Sequence, residues 1–123
     1  MKRIPAGNVE FHVENRDSGG DGGPSIQVRA SVEGRDVQLL RFDCFRNRPH
    51  YHYAPGADNA QYDIDPTLVG DSLAWVIAQL RTSLAAMVTR AGYSGVAEAI
   101  DPSALPGPLS EVEAHFQAAV AQA

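Results

Sequence analysis

Apolar and polar residues alternate with period two through the first half of the chain and recur at helical spacing through the second. Val9, Phe11 and Val13 share one parity and Glu10, His12 and Glu14 the other, which predicts a half-buried strand over about 9–17. Ser18-Gly19-Gly20-Asp21-Gly22-Gly23-Pro24 is too glycine-rich to hold regular structure and predicts a mobile hairpin loop. Ile26, Val28, Ala30 and Val32 then give a second strand, about 25–33. Because no helix N-terminus comes after the glycines, they do not form a phosphate loop. Glu33-Gly34-Arg35-Asp36 signals a two-residue hairpin with glycine first, as a type II′ turn prefers. The third strand, about 36–45, slips parity between Val37/Leu39 and Leu40/Phe42/Cys44, which predicts a β-bulge near Leu39–Leu40. Arg46-Asn47-Arg48-Pro49 turns the chain into a short fourth strand, about 50–54.

The period changes after a polar loop over 56–65. Asp65-Pro66 reads as a cap followed by proline at the first helical position, and Asp71 or Ser72 restarts the helix. Leu73, Ile77, Leu80, Leu84, Met87 and Ala91 then make one apolar stripe that ends at Gly92, a natural C′ residue. Ala78, Thr82, Ala85 and Thr89, with Trp75 beside them, form a small-residue side on which another helix can approach closely. Ser94 to Ile100 reads as a helical turn, and 101–108, with three prolines, as irregular. Ser110-Glu111-Val112-Glu113 has the form of a capping box, and Val112, Phe116, Ala119, Val120 and Ala123 continue as a stripe. The expected fold is therefore α+β: a four-stranded antiparallel β-meander covered by a long helix of about 71–91, with a C-terminal helix of about 110–122. That last helix has a berth on the small-residue side, which a partner chain could take instead.

Composition narrows the function. At 123 residues the chain suits a single domain, and 44% hydrophobic with 20% charged residues is ordinary for a globular one. A formal charge of −5 argues against an extended grip on nucleic acid or anionic lipid. The lone Cys44 excludes an intramolecular disulfide and any multi-cysteine metal cage. With neither a membrane-length apolar run nor a signal-peptide pattern, the expected location is the cytoplasm.

One constellation carries chemistry. If a tight turn pairs Arg46 with Pro49, Asp43 lies opposite His52 and Phe45 opposite His50, while Phe42 meets Tyr53 and Cys44 meets Tyr51. Odd register then gathers Arg41, Asp43, His50 and His52 on a solvated face and turns Phe42, Cys44, Tyr51 and Tyr53 inward. Three readings compete for the polar set. It is a solvated or interface face with weak ion pairs; or a local cationic patch of Arg41, Arg46, Arg48 and the imidazoles that recognises a carboxylate, a phosphate or an acidic loop; or a site for metal or acid–base chemistry, with Asp43, His50 and His52 as a two-histidine, one-carboxylate set. His12 lies three strands from the fourth, about 14 Å away at the usual strand spacing, too far to join them unless the sheet curls or dimerises. His115 reads as a surface histidine and Cys44 as a buried small hydrophobe. Asp58, Asp63 and Asp65 lack calcium-loop spacing and read as caps and turns.

The stretch Arg41-Phe42-Asp43-Cys44-Phe45 … Pro49-His50-Tyr51-His52-Tyr53 resembles a motif of small uncharacterised bacterial domains that combine a β-meander with C-terminal helices. It is similar also to small operon-encoded proteins of the toxin–antitoxin kind, in which an aspartate strand precedes a histidine-rich one. The resemblance covers about a tenth of the chain and implies a fold, with no activity and no catalytic residue. The expected function is a non-enzymatic binding or accessory protein, without an obligatory cofactor. It self-associates or meets a protein partner through Trp75, Ala78, Thr82 and Ala85 or through the polar face of Arg41, Asp43, Arg46, Arg48, His50 and His52. The alternatives are a metal-assisted or His/Asp-dependent hydrolase or lyase using Asp43, His50 and His52, with a divalent metal as cofactor, and an RNA-acting toxin–antitoxin-type protein using Arg46 and Arg48.

Overall fold

Alternation of apolar and polar residues builds one antiparallel sheet in a computed structural model that describes residues 1–122, without the side chains of 119–122. Six strands lie in chain order as neighbours: β1 (Lys2–Ala6), β2 (Val9–Ser18), β3 (Asp21–Val32), β4 (Arg35–Asp43), β5 (His50–Tyr53) and β6 (Ala60–Asp63). The meander was expected with four strands; β1 and β6 add an edge on each side. Neither edge announces itself by pattern. β1 has two inward positions, Ile4 and Ala6, and places Pro5 on the outer face, as an edge strand tolerates. β6 is exposed at all four residues and so has no alternation to read.

The glycine-rich stretch is not a mobile loop. Ser18 pairs with Asp21, so Gly19 and Gly20 alone make the connection, with φ of 58° and 88° as a type I′ turn requires. Gly22 and Gly23 belong to β3 because another backbone crosses them closely. A Cβ on Gly23 would lie 2.5 Å from the Cys44 carbonyl oxygen, and Cys44 N–H donates to the Pro24 carbonyl at 2.7 Å. Only glycine fits such an approach. The next hairpin keeps its expected two-residue length but sits one position earlier: Val32 pairs with Arg35, so Glu33 and Gly34 form the turn, both with positive φ, rather than glycine leading a type II′ turn.

Val28 opposes Leu40 and Arg29 opposes Gln38, which leaves Leu39 as the extra residue of a bulge, where the parity slip placed it. Both Leu39 and Leu40 are fully buried. The helices cover the apolar face. Asp65 caps α1 (Pro66–Val69) and Asp71 caps α2 (Ser72–Arg90), its carboxylate accepting from Leu73 N at 3.0 Å and Ala74 N at 3.3 Å. Val76, Ile77, Leu80, Leu84, Met87 and Val88 of α2 are buried, while Leu73 and Ala91 at the stripe's ends are half-buried. Gly92 (φ 100°) ends the helix as read.

After α3 (Ser94–Glu98) and a 3-10 turn at Pro102–Ala104, α4 (Pro106–Gln122) starts four residues before Ser110. Ser110 is thus inside the helix and caps nothing. Pro106 and Pro108 fit because the N–H groups of a first turn have no intrahelical partner to lose. α4 packs on α2 and β1 through Leu109, Val112 and Phe116. Ala119, Val120 and Ala123 of its expected stripe lie outside the described side chains. Ala78, Thr82 and Thr89 stay exposed, with Ala85 and Trp75 half-buried, so α4 does not cover the small-residue side as a whole. Among the described residues, no helix is long and apolar enough to cross a membrane.

Candidate functional site

The β4–β5 register decides what meets on the sheet's polar face. Asp43 pairs with His50, Arg41 with His52, Phe42 with Tyr51 and Leu40 with Tyr53. This is two residues away from the expected pairing of Asp43 with His52. A two-residue shift preserves faces, so Arg41, Asp43, His50 and His52 still share one side. The shift arises because no tight turn joins Arg46 to Pro49. Cys44 N–H and Arg46 N–H donate back to Pro24 and Gly22 of β3 at 2.7 and 3.0 Å. The Asp21 carboxylate then accepts from the N–H groups of Asn47 and Arg48 at 3.0 and 2.9 Å. Burial opposes, but those two bonds and one from Gly22 N–H, with Arg46 nearby, hold the Asp21 carboxyl below its ordinary range. The connection is therefore a wide loop fastened to the β2–β3 hairpin.

The polar set is not a solvated surface. Asp43 is 1% exposed and His52 5%, whereas the sequence put both in solvent. Their cover comes from long side chains and a loop. Arg16 reaches over from β2, Arg41 folds along its own strand, and Asn59 closes on His52 from the β5–β6 connection. Asp43 Oδ1 accepts from Ser25 Oγ at 2.7 Å and Arg16 Nη1 at 3.4 Å. Its Oδ2 accepts from Arg41 Nε at 3.1 Å and faces His50 Nε2 at 3.1 Å and His52 Nε2 at 3.8 Å.

Each imidazole is oriented from behind. His50 Nδ1–H donates to the Arg48 carbonyl at 2.8 Å, and His52 Nδ1–H donates to Asn59 Oδ1 at 2.9 Å. Both Nε2 atoms thereby face Asp43. His52 Nε2 accepts from Arg41 Nη2 at 3.0 Å. Burial, then the Arg41 charge, hold His52 below the ordinary histidine range, against the opposing pull of Asn59. A neutral His52 matches this bonding. His50 differs: a neutral ring would set a lone pair against a carboxylate oxygen at 3.1 Å. Two acceptors that close need a proton or a cation between them. The three atoms Asp43 Oδ2, His50 Nε2 and His52 Nε2 lie within 4.8 Å of one another.

Other expected site residues fall elsewhere. Arg46 and Arg48 are exposed in the β4–β5 loop; Arg48 contributes only its carbonyl to the cluster. His12, on β2 and three strands from β5, is buried against Glu10 rather than joined to the site. His115 is half-buried with its ring against Phe116. Cys44 is buried on the core face as expected, and burial, only partly offset by a Ser72 hydrogen bond, pushes its thiol up to about 12. On that same face Phe42 stacks on Tyr51 at 5.7 Å, and Tyr53 is buried. Three members of the cluster went unread in the sequence. Ser25 and Arg16 share the outward parity of Gln27 and Glu14 inside the expected strands of about 9–17 and 25–33, a signal already present in the sequence. Asn59, in an irregular loop, carries no signal.

No curated protein and no solved structure matches the chain. Its sequence matches a family profile over residues 3–116, from within β1 to Phe116 in α4, and the chain therefore belongs to DUF7700, a domain of unknown function.

Proposed function

We propose that this domain is a binding protein whose ligand site is the polar sheet face, and that Asp43, His50 and His52 hold a divalent transition metal there. The observation that carries the reading is the contact of His50 Nε2 with Asp43 Oδ2 at 3.1 Å while the ring's other nitrogen donates to Arg48. Two atoms that each lie about 2.1 Å from an ion at right-angled or tetrahedral positions stand about 3.0–3.4 Å apart. Two of the three separations, 3.1 and 3.8 Å, are close to that spacing, and all three atoms lie within 4.8 Å of one another. Each histidine also donates its far N–H to an oxygen, the support that fixes tautomer and ring orientation in metal-ligating histidines.

Cobalt(II) titration followed by visible absorption tests it. One ion per chain is expected, lost in His52→Ala and in Asp43→Asn with the fold retained by circular dichroism. Wild-type protein that takes up no cobalt, zinc or manganese overturns the reading.

Three protein ligands leave coordination positions for water or a substrate. The His50 edge opens on a cleft of about 300 Å³ lined by Ser18, Asp21, Arg48 and Gln61 among others. That space favours, as a second reading, a metal-assisted hydrolase or lyase. Cobalt-dependent hydrolysis of an activated ester, absent in His52→Ala, would support it, and a metal-loaded protein without turnover on ester, phosphoester and amide probes would count against it.

A further inference from the structure

Building on the metal reading, we infer that Arg41 is an internal cation that competes with the metal and, once displaced, anchors an oxyanion ligand, so that metal and anion bind as a pair. Arg41 Nε donates to Asp43 Oδ2 at 3.1 Å and its Nη2 donates to His52 Nε2 at 3.0 Å. These are two of the three atoms a metal would use. The His52 lone pair serves either an N–H or an ion, so the guanidinium has to leave before the ion can be held.

Charge balance then calls for an anion. Asp43 has two guanidinia against it, Arg41 at 3.1 Å and Arg16 at 3.4 Å, and Glu14 stands 4.0 Å from Arg16. Two carboxylates balance two guanidinia. A divalent ion brings two positive charges, at least one of them uncompensated even where it replaces the proton between His50 and Asp43, into a cluster in which Asp43 and His52 are buried, and uncompensated charge in such a place is costly. An oxyanion that coordinates the ion and pairs with the released guanidinium restores the balance, and guanidinium suits the planar edge of a carboxylate or phosphate. Space exists on both sides. The His50 edge opens on the cleft of about 300 Å³. The Arg41 edge opens on another of about 560 Å³ beside Gln38 and Ala57.

The test measures cobalt(II) affinity in wild type, Arg41→Gln and Arg41→Lys, with and without inorganic phosphate at submillimolar concentration, low enough to keep cobalt in solution. Arg41→Gln is expected to bind cobalt about tenfold more tightly than wild type without phosphate, since a like charge at contact distance has been removed. Phosphate is expected to tighten cobalt binding to wild type about tenfold and to leave Arg41→Gln unchanged. Arg41→Lys, which keeps the charge, should resemble wild type. Equal cobalt affinity in wild type and Arg41→Gln, or weaker affinity in the variant, overturns the competition. A wild-type affinity indifferent to phosphate overturns the pairing with an anion. Failure of all three proteins to bind cobalt would instead sink the metal reading beneath it.

Discussion

Replacing Asp43 by asparagine preserves shape and removes one buried charge. Four groups converge on this carboxylate: Ser25 Oγ at 2.7 Å, Arg41 Nε at 3.1 Å, His50 Nε2 at 3.1 Å and Arg16 Nη1 at 3.4 Å. An asparagine oxygen can still accept from Ser25, but its amide NH₂ then meets Arg41 donor to donor. Hydrogen bonds to a charged group contribute about 1.5–3 kcal/mol each, and breaking a buried pair costs about 3–5 kcal/mol. The two guanidinia keep 34% and 25% of their side-chain surface, so solvent screens them and the lower part of the range applies. Asp43→Asn should therefore cost about 3 kcal/mol, a large share of the roughly 5–15 kcal/mol that holds an ordinary domain together. Urea unfolding by circular dichroism measures it as a lower midpoint with unchanged slope. Asp63→Asn is the control. It lies in the same cross-strand row, opposite His50, but is exposed on β6 and should change stability by less than about 0.5 kcal/mol. A loss below about 1 kcal/mol for Asp43→Asn would mean that the carboxylate behaves as an exposed one, and the burial argument would fail.

The same geometry sets further outcomes. Gly23→Ala places a Cβ 2.5 Å from the Cys44 carbonyl oxygen and should lower stability by about 3 kcal/mol or more, whereas Gly19→Ala, in open space at φ 58°, should cost only about 1 kcal/mol; equal thermal shifts would refute the close approach. Asp71→Ala removes the cap of α2 and should cost about 1 kcal/mol in the same assay, a neutral result arguing that the helix needs no cap. Asp21 has a folded pKa below its ordinary value of 3.8, so the unfolded chain binds its proton first; the stability it contributes is present above about pH 4 and is lost as pH falls through the lowered value. Asp21→Asn should therefore flatten the acid limb of the stability curve, and an unaltered limb would show that the loop contact carries no linkage. Cys44 should resist iodoacetamide at pH 8 in the folded protein and react in urea, because burial raises its pKa to about 12; rapid labelling of the native protein would contradict that placement.

Signals in the sequence were legible only over the short range at which they act. Parity along β4 located the bulge at Leu39, and parity across β4 and β5 put Asp43, His50 and His52 on one face, because both are properties of neighbouring residues. The two edge strands escaped because a strand with few buried positions leaves no alternation. The glycine hairpin was misread because composition predicts freedom, while Gly22 and Gly23 are constrained by contacts that composition does not show, Gly23 by the distant backbone of Cys44. The same kind of distant contact buried the polar face. Arg16, Ser25 and Asn59 come from β2, β3 and the β5–β6 connection, and no local pattern around Asp43 foretells them. Solvent exposure inferred from strand alternation therefore failed where long side chains from other strands form a cover.

Diffraction from crystals soaked in zinc, with anomalous data collected at the zinc edge, tests the central claim most directly. One peak is expected between Asp43 Oδ2, His50 Nε2 and His52 Nε2, at about 2.0–2.2 Å from each, with the Arg41 guanidinium moved off Asp43 and His52. Zinc found only at other surface positions, with Arg41 still donating to both groups, would contradict it.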